Sequence, residues 1–254
     1  MVRSSRGVTL TNSGRAFLDH ARSLLSQAEM AIEAARRVGR AERTSVTLGF
    51  LTGYEIELLT PVLRILQSEL PSINVAIQSQ FSPKLADGLQ SGKIDVAFLR
   101  PERDRPGLEF KLLKRDPLCV VLPLSHPLAR QRAIHPRALA GQIFVSVGIA
   151  SAPTLRRVID TWLAPKSLSF PAVHEAENLS MAVSLILSTE GVGLLPLFTR
   201  NLFPSSVVGR PLTGSPPSID LVMGFRPGER VPIVDYLLSR VEELASRLSD
   251  DGDQ

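Results

Sequence analysis

The stretch Ile94-Asp95-Val96-Ala97-Phe98-Leu99 is an almost wholly apolar run of strand length, which is typical of a strand covered on both of its faces. On its N-terminal side, two more strand patterns occur at 45–50 and 73–77. Helical patterns at 54–70 and 83–91 fill the intervals between these strands. Because strands that alternate with helices favour parallel pairing, this part of the chain predicts an α/β fold built on a parallel sheet.

The alternation of strands and helices continues through the C-terminal half of the chain. Strands are predicted at 118–122, 143–147, 173–176 and 219–225, helices at 153–163, 179–189 and 231–248, and a tight turn into a strand at 190–196. The chain is expected to leave the first sheet near 115–119 and to return to it near 216–221. Each half then forms a small Rossmann-like lobe, and the two crossover strands form a double hinge between the lobes.

Composition excludes several classes of protein. The chain has 254 residues, of which 44% are apolar and 21% charged, so it can bury a sizeable core. A single cysteine, Cys119, excludes an internal disulfide, a zinc ribbon and an iron–sulfur centre. The four histidines lie far apart: His20, His126, His135 and His174. No apolar run reaches the roughly 18 residues of a membrane span, and residues 1–6 lack the apolar stretch of a signal peptide. We therefore expect a soluble, cytoplasmic protein that carries no metal and no cofactor.

The N-terminal segment is basic and predicts a long helix. Residues 1–43 hold eight arginines against four acidic residues, while the remaining chain is balanced. Thr11 is a plausible N-cap for a helix that extends to about residue 40. Apolar residues repeat there at alternating steps of three and four: Ala21, Leu24, Ala28, Ala31, Ala35 and Val38. A helix of this length spans ~42 Å, more than one small domain covers. We favour dimerisation along this seam; the alternative is packing on the helix's own domain.

The order of several short motifs resembles one known family. The run Arg3-Ser4-Ser5-Arg6-Gly7-Val8-Thr9-Leu10-Thr11-Asn12-Ser13-Gly14 resembles the wing and the linker-helix start of LysR-type transcriptional regulators. Four further matches follow in the family's order, at 48–50, 88–97, 122–128 and 190–196, so the similarity covers residues 2–248. The resemblance implies a DNA-binding transcription factor whose effector region consists of two periplasmic-binding-protein type II-like subdomains after a long linker helix. It also implies a homodimer or homotetramer.

The resemblance divides the chain into five parts. They are a remnant of the winged helix-turn-helix wing (1–10), a linker and dimerisation helix (11–43), effector subdomain 1 (44–117 and 218–249), effector subdomain 2 (118–217) and a disordered tail (250–254). In the family, the helix that enters the DNA groove precedes the wing. Because Met1 falls in the wing, we expect phosphate contacts from Arg3 and Arg6 at most, and weak or no specific DNA binding by this chain alone.

The candidate ligand site lies at the predicted strand ends, where two-lobed α/β proteins bind ligands. Free N–H groups at the helix start after the first strand suit an anion, and Arg100 could clamp a carboxylate. By resemblance, LysR-type proteins hold small effectors there, often carboxylates. The candidate effector-binding residues are Thr52, Gly53, Gln80, Ser82, Arg100, Ser146 and Ser180.

Each candidate also has a structural interpretation. Thr52, Ser82 and Ser180 could be helix caps, and Arg100 could be a solvated loop residue. Glu55 would repel an anion if it pointed into the cleft, which leaves the charge of the ligand open.

Two other functions compete with a regulator. Cys119 and His126 suggest a thiol hydrolase, but Cys119 lies in an apolar strand pattern where cysteines are usually inert, and no G-x-S-x-G motif occurs. Catalysis is therefore not expected. A stand-alone solute-binding protein would share the two lobes. An exported binding protein, however, should begin with a signal peptide and should not carry an arginine-rich, alanine-seamed helix.

Overall fold

A computed structural model describes residues 2–4, 7–18, 20, 21, 24, 25, 28, 32, 45–166, 168, 170, 173–227 and 232–250. At the N-terminus, two short antiparallel strands form a hairpin. The hydroxyl of Thr11 accepts a hydrogen bond from the N–H of Gly14 (3.0 Å), so Thr11 caps the helix that follows, as predicted. The described residues from 12 to 32 are helical. Ala31, Ala35, Val38 and Arg6 lie outside the described residues, and the side chain of Arg3 is not described.

The strands form one hairpin and one long mixed sheet. In chain order they are β1 (Val2–Ser4), β2 (Gly7–Thr9), β3 (Ser45–Leu51), β4 (Asn74–Gln80), β5 (Val96–Leu99), β6 (Glu109–Pro123), β7 (Phe144–Val147), β8 (His174–Ala176), β9 (Val192–Pro196), β10 (Val207–Pro211) and β11 (Ser218–Phe225). The long sheet has the order β4-β3-β5-β11-β6-β9-β7-β8, and β10 also pairs with β6.

The helices cover both faces of this sheet. After the N-terminal helical residues they are α1 (Glu55–Glu69), α2 (Ser82–Gln90), α3 (Pro153–Leu163), α4 (Leu179–Thr189), α5 (Pro232–Ser239) and α6 (Val241–Asp250). In α1, the buried residues Leu58, Val62 and Leu66 recur at steps of four and so form one stripe that packs on β3. The opposite face of β3 and of its neighbour β5 is covered by Leu85 and Leu89 of α2.

Two lobes arise because β6 belongs to both halves of the sheet. Its N-terminal part, residues 109–117, pairs with β11, and its C-terminal part pairs with β9 and β10. The first lobe contains β3, β4, β5 and β11, and the second contains β7 to β10. A separate hydrophobic core fills the second lobe around Val120, Phe144 and Leu194. The chain crosses between the lobes near Pro117 and returns through Pro217, which accepts a hydrogen bond from Leu118 N–H. The predicted two-lobed α/β fold with two crossover strands is confirmed.

Several details differ from the predictions. The sheet is mixed rather than parallel, because β6 and β11 pass from lobe to lobe without a helical crossover and run antiparallel to their neighbours. The predicted helix 231–248 is two helices that meet at Arg240, whose guanidinium contacts Glu69 of α1 and Glu243. Asp250, assigned above to the tail, is the last residue of α6. Residues 251–254 lie outside the described part.

Candidate functional site

A crevice opens between the lobes at the carboxyl ends of their parallel strands. The first lobe contributes Leu51, at the end of β3, and Arg100, which follows β5 directly. The second lobe contributes Val147 and Pro196, the last residues of β7 and β9. The crevice holds about 540 Å³ of unfilled space, counting the part that opens to solvent, which is the size of a small-molecule site. The polar side chains on its wall are Thr52, Ser82, Arg100, Glu102, Ser151, Thr154 and Thr199.

The lobes touch directly beside the crevice. The ring of Phe198, in the helical turn Leu197–Leu202 of the second lobe, stacks on Tyr54 of the first lobe with ring centroids 3.8 Å apart. Gly53 permits this contact. A Cβ atom there would lie 2.9 Å from Leu202 Cδ1 and 3.3 Å from Phe198, and the φ of +100° is unfavourable for other residues. Gly53 therefore shapes the seam between the lobes.

Arg100 forms part of the crevice wall, but its guanidinium is held by other residues. Its Nη2 atom lies 2.9 Å from Asp116 Oδ2 and donates to the hydroxyl of Tyr54 (3.0 Å), while Nη1 donates to the carbonyl of Ile219 (3.2 Å). The Tyr54 hydroxyl in turn donates to Asp116. All these groups are buried, and Asp116 is fully covered. A buried charge requires such a partner, so Asp116 neutralises Arg100 within the protein.

One further cation, Lys114, and one further acid, Glu57, flank this ion pair. Lys114 Nζ lies 3.7 Å from both Asp116 Oδ1 and Glu57 Oε2.

Burial raises the pKa of Tyr54 well above its ordinary value, and the nearby Arg100 opposes that shift. Tyr54 therefore stays protonated and acts as a hydrogen-bond donor to Asp116 at any physiological pH.

Glu102 lies on the crevice wall and approaches the second lobe. Its carboxylate is 3.5 Å from the hydroxyl of Thr154, at the start of α3, and the same hydroxyl donates to the carbonyl of Pro101 (3.0 Å). Partial burial raises the pKa of the Glu102 carboxyl, and Arg105 and Arg157 oppose the shift. Glu102 thus places an acidic group where the lobes meet.

The helix start after β3 is occupied by an acidic side chain of the chain itself. Glu55 Oε2 accepts the N–H of Gly53 (2.7 Å), and its Oε1 accepts the hydroxyl of Ser79 (3.0 Å). The same Ser79 hydroxyl lies 3.2 Å from that of Thr52. The backbone position that the sequence offered to a ligand anion therefore already holds a carboxylate.

The structure brings three of the seven predicted residues to the crevice. Thr52, Ser82 and Arg100 line it. Gly53 lies behind the wall under Phe198. The other three do not line it: Gln80 is exposed at the end of β4, Ser146 is buried with its hydroxyl donating to Val147 O, and Ser180 is exposed on α4.

The helix-cap interpretation of the hydroxyls is wrong. The N-caps of α1, α2 and α4 are Tyr54, Phe81 and Asn178, and only the last accepts a bond through its side chain. Ser82 instead accepts the N–H of Arg100 (2.9 Å). The view of Arg100 as a solvated loop residue is also wrong, since its side chain is 6% exposed.

Sequence reasoning missed Glu102, Thr154, Phe198 and Thr199. Thr154 follows Pro153, whose position at a helix start was a usable signal for a free helix end facing the crevice. Phe198 and Thr199 closely follow the carboxyl end of β9, and ligands are expected at such strand ends, so these two residues could have been predicted in the same way as Arg100. Glu102 stood in a loop of alternating charge, where no sequence pattern distinguishes it from Arg103 or Asp104.

Comparisons with known proteins agree with this architecture. Residues 39–245 match the family described as LysR substrate binding domain. The chain is also 32% identical to the Hca operon transcriptional activator HcaR of Escherichia coli, over 97% of this chain and 83% of that protein. The chain belongs to the LysR family of transcriptional regulators. This LysR-type regulator is further 25% identical to the regulator AlsR of Bacillus subtilis, over 99% of this chain and 84% of AlsR.

Solved structures of LysR-type regulators share the fold. The effector-binding domain of BenM with its effector benzoate superposes with a TM-score of 0.70 at 17% identity, covering 83% of this chain and 95% of that one. Full-length CbnR in complex with its target DNA superposes with a TM-score of 0.68 at 19% identity, covering 94% and 84%. These findings support a LysR-type transcription regulator and not a stand-alone solute-binding protein.

Within the part of the chain that the structure describes, no helix is both long and apolar enough to cross a membrane. Among those same residues, no group of three or more His, Cys, Asp or Glu side chains is placed to hold a metal ion.

Proposed function

We propose that this LysR-type regulator senses a small molecule held in the crevice between its lobes. The observation that carries the proposal is the crevice itself, because strand ends of both lobes contribute to one apolar wall with a few convergent polar groups. Thr52, Ser82 and Arg100 are its proposed contacts in the first lobe. We also propose that residues 44–117 with 218–249, and residues 118–217, form the two effector subdomains after a linker at 11–43.

The proposed mechanism is a shift in the angle between the lobes. A ligand that touches both lobes favours the angle at which both sets of contacts form, and it shifts the equilibrium only by its difference in affinity for the two states. The crossover strands β6 and β11 are the natural hinge, since they alone carry the chain between the lobes in the part described from residue 45.

Oligomerisation and DNA binding complete the proposal. Leu24 and Leu25 on the N-terminal helical segment are 66% and 67% exposed, which suits a helix that pairs with a second copy. CbnR has been solved with its target DNA, and by analogy the lobe movement here would alter how DNA-binding heads are spaced in a dimer or tetramer in the cytoplasm. Contacts of Arg3 and Arg6 with DNA phosphates, and weak DNA binding by this chain alone, stay predictions.

The proposal assigns no catalytic step to the protein. The relatives named above are transcriptional regulators, and the single cysteine is a poor nucleophile. Burial raises the pKa of Cys119 to about 12, so almost none of it is thiolate at neutral pH.

A binding screen tests the proposal directly. Uncharged, acidic and basic metabolites are screened by thermal shift against the wild type, against Ala152→Trp, which fills the crevice, and against Ala164→Trp, a control at the exposed end of α3. We expect ligands that raise the Tm of the wild type and of Ala164→Trp but not of Ala152→Trp. Ligands that bind all three proteins equally, or no ligand at all, would contradict a crevice sensor.

A further inference from the structure

A long segment of the second lobe is basic throughout. Residues 117–159 contain five arginines and no aspartate, glutamate or lysine. Two of these arginines have acidic neighbours outside the segment. Arg156 lies 2.9 Å from Asp160, and Arg157 lies close enough to Glu102 to oppose the rise in the pKa of that carboxyl. The segment therefore carries a positive charge that its own residues do not neutralise.

The other three arginines form a surface that we call the basic face: Arg130, Arg132 and Arg137. All three are exposed. In the part of the chain that the structure describes, none of their guanidinium groups forms an ion pair or donates a hydrogen bond. A guanidinium without an internal partner can present its fork of N–H donors to an external anion.

The basic face lies around one anchored residue. Ile134 is fully buried, and its N–H donates to the carbonyl of Pro211, the last residue of β10 (2.9 Å). Each arginine of the basic face lies no more than four residues from Ile134. Since consecutive Cα atoms are 3.8 Å apart, the three arginine Cα atoms lie within about 15 Å of the Ile134 Cα atom. Duplex DNA carries one phosphate per about 1.7 Å of its axis, so each arginine can contact a different phosphate.

The backbone that carries the basic face is already ordered. It forms two short 3₁₀ turns, Pro127–Arg130 and Pro136–Leu139. A histidine precedes each turn, and its ring accepts a backbone N–H of that turn at 3.2 Å: His126 for the first and His135 for the second. Because the surface is ordered before binding, an anion that docks on it does not have to supply that ordering free energy.

The first lobe of a second copy is a weaker partner for the basic face than a polyanion. Three acids at the surface of the first lobe are already paired with arginines of the same lobe: Asp87 with Arg105, Asp220 with Arg115 and Glu69 with Arg240. This pairing reduces the negative charge that a second copy could present. Phosphate groups, in contrast, match the planar fork of arginine with two parallel hydrogen bonds.

We infer that the basic face binds the phosphate backbone of duplex DNA, in addition to the contacts made by the DNA-binding heads of the regulator. The relative CbnR has been solved with its target DNA. DNA that a regulator holds elsewhere is present at high effective concentration, so contacts that are weak alone still add affinity. Contacts with phosphates position the protein on the duplex and read no sequence. The inference goes beyond sensing in the crevice and does not depend on it.

The salt dependence of DNA binding tests the inference on the chain itself. Binding of a fluorescently labelled duplex of arbitrary sequence is measured by anisotropy at about 25–150 mM KCl. The wild type is compared with the variant Arg130→Gln/Arg132→Gln/Arg137→Gln. A control removes the same charge from exposed positions of the first lobe: Arg64→Gln/Lys84→Gln/Lys111→Gln. All variants keep the N-terminal arginines, so a difference between them cannot come from that segment.

The loss should be specific to the basic face. We expect the arginine variant to bind DNA at least about tenfold more weakly than the wild type at 50 mM KCl. The slope of log K against log [KCl] should become shallower by about 2–3, because each lost phosphate contact removes about 0.9. The control should stay close to the wild type. Replacement of the same three arginines by lysine should keep most of the slope, since the positive charges remain.

Other outcomes would overturn the inference. Equal losses in the arginine variant and the control, or no binding by the wild type at the lowest salt, would show that the basic face does not hold DNA. Labelled polyglutamate that binds the same arginines as tightly as the duplex would assign the face to an acidic protein. Self-association that salt weakens and the arginine variant abolishes would assign it to a second copy.

Discussion

Phe198 of the second lobe stacks on Tyr54 of the first, with ring centroids 3.8 Å apart and ring planes inclined by 25°. The guanidinium of Arg100 lies 5.0 Å from the centroid of Tyr54 and 5.8 Å from that of Phe198. A single aromatic contact therefore connects the lobe interface to the buried ion pair. Movement of one lobe relative to the other must disturb both.

Removal of the Phe198 ring should destabilise the protein and loosen the lobes. Phe198 is 7% exposed, and we expect Phe198→Ala to lower the free energy of unfolding in urea by about 3 kcal/mol. It should also increase the radius of gyration in small-angle scattering. Phe203→Ala, at the partly buried edge of the second core, should lower stability less and leave the scattering unchanged. Identical scattering from wild type and Phe198→Ala would exclude a role for this stack in lobe arrangement.

The pair Arg100–Asp116 should be sensitive to the loss of one partner. We expect Asp116→Ala to lower the free energy of unfolding by about 3–5 kcal/mol, because the guanidinium is left buried without its counter-ion. The double variant Arg100→Met/Asp116→Leu should recover most of that loss. As a control, Asp160→Ala removes the exposed pair Arg156–Asp160 and should cost under about 0.5 kcal/mol. Additive effects in the double variant would show that the two side chains are not coupled.

Stability should depend on the ionisation of Glu102. Because its pKa is raised in the folded state above the ordinary 4.5, the stability associated with the neutral carboxyl is present at low pH and is lost as the pH rises through the folded pKa. Glu102→Gln should therefore match the wild type in Tm at pH 4 and exceed it at pH 8. The partial exposure of Glu102 limits the gain to under about 1 kcal/mol. A variant less stable than wild type at pH 8 would refute this sign, and Asp104→Asn is the control.

The single cysteine should resist alkylation in the folded protein. Burial raises the pKa of Cys119 to about 12, so the thiolate is scarce as well as shielded. Iodoacetamide at pH 8 should label native protein at least about a hundredfold more slowly than protein in urea, as measured by intact mass. Comparable rates in the two conditions would mean that the strand around Cys119 opens readily.

The exposed leucines of the N-terminal segment should hold two copies together. Leu24→Glu should convert the proposed dimer to a monomer, detected by light scattering on a gel-filtration column, because a charge on the seam opposes helix pairing. Ala16→Glu changes an exposed residue on the side of the helix away from the seam and should leave the mass unchanged. A wild type that is monomeric at about 100 μM, well above a micromolar Kd, would contradict the pairing.

The elements that follow from local signals could be predicted from the sequence. Helix 153–163 has the predicted bounds because Pro153 fixes its first turn. Helix 179–189 also has the predicted bounds, because Asn178 caps its N-terminus. The first half of β6, residues 109–117, was not predicted, because its charged residues mask the strand pattern. This segment is a strand because it pairs with β11, which lies about a hundred residues away in the sequence.

The site was harder to predict because it depends on the direction in which each side chain points and on contacts with residues far away in the sequence. Ser146 and Ser180 each lie one residue from a wall residue, Val147 and Leu179. A shift of one residue turns a side chain to the opposite face of a strand and by about 100° around a helix. Arg100 was placed at the correct strand end, but nothing in its local sequence indicates that Asp116 neutralises it. Glu102, the acid on the crevice wall, is distinguished from its neighbours by the approach of Thr154 from the other lobe.

The position of β11 has a consequence for synthesis on the ribosome. This strand lies between β5 and β6 in the sheet, although it follows them by about a hundred residues in the chain. As the polypeptide emerges, β5 and the start of β6 lack their shared neighbour until residues 218–225 have been translated. The second lobe, whose strands pair among themselves and with the end of β6, can be completed earlier. The half that emerges first is therefore the half that closes last, and its unpaired edges are the surface that a nascent-chain chaperone would meet.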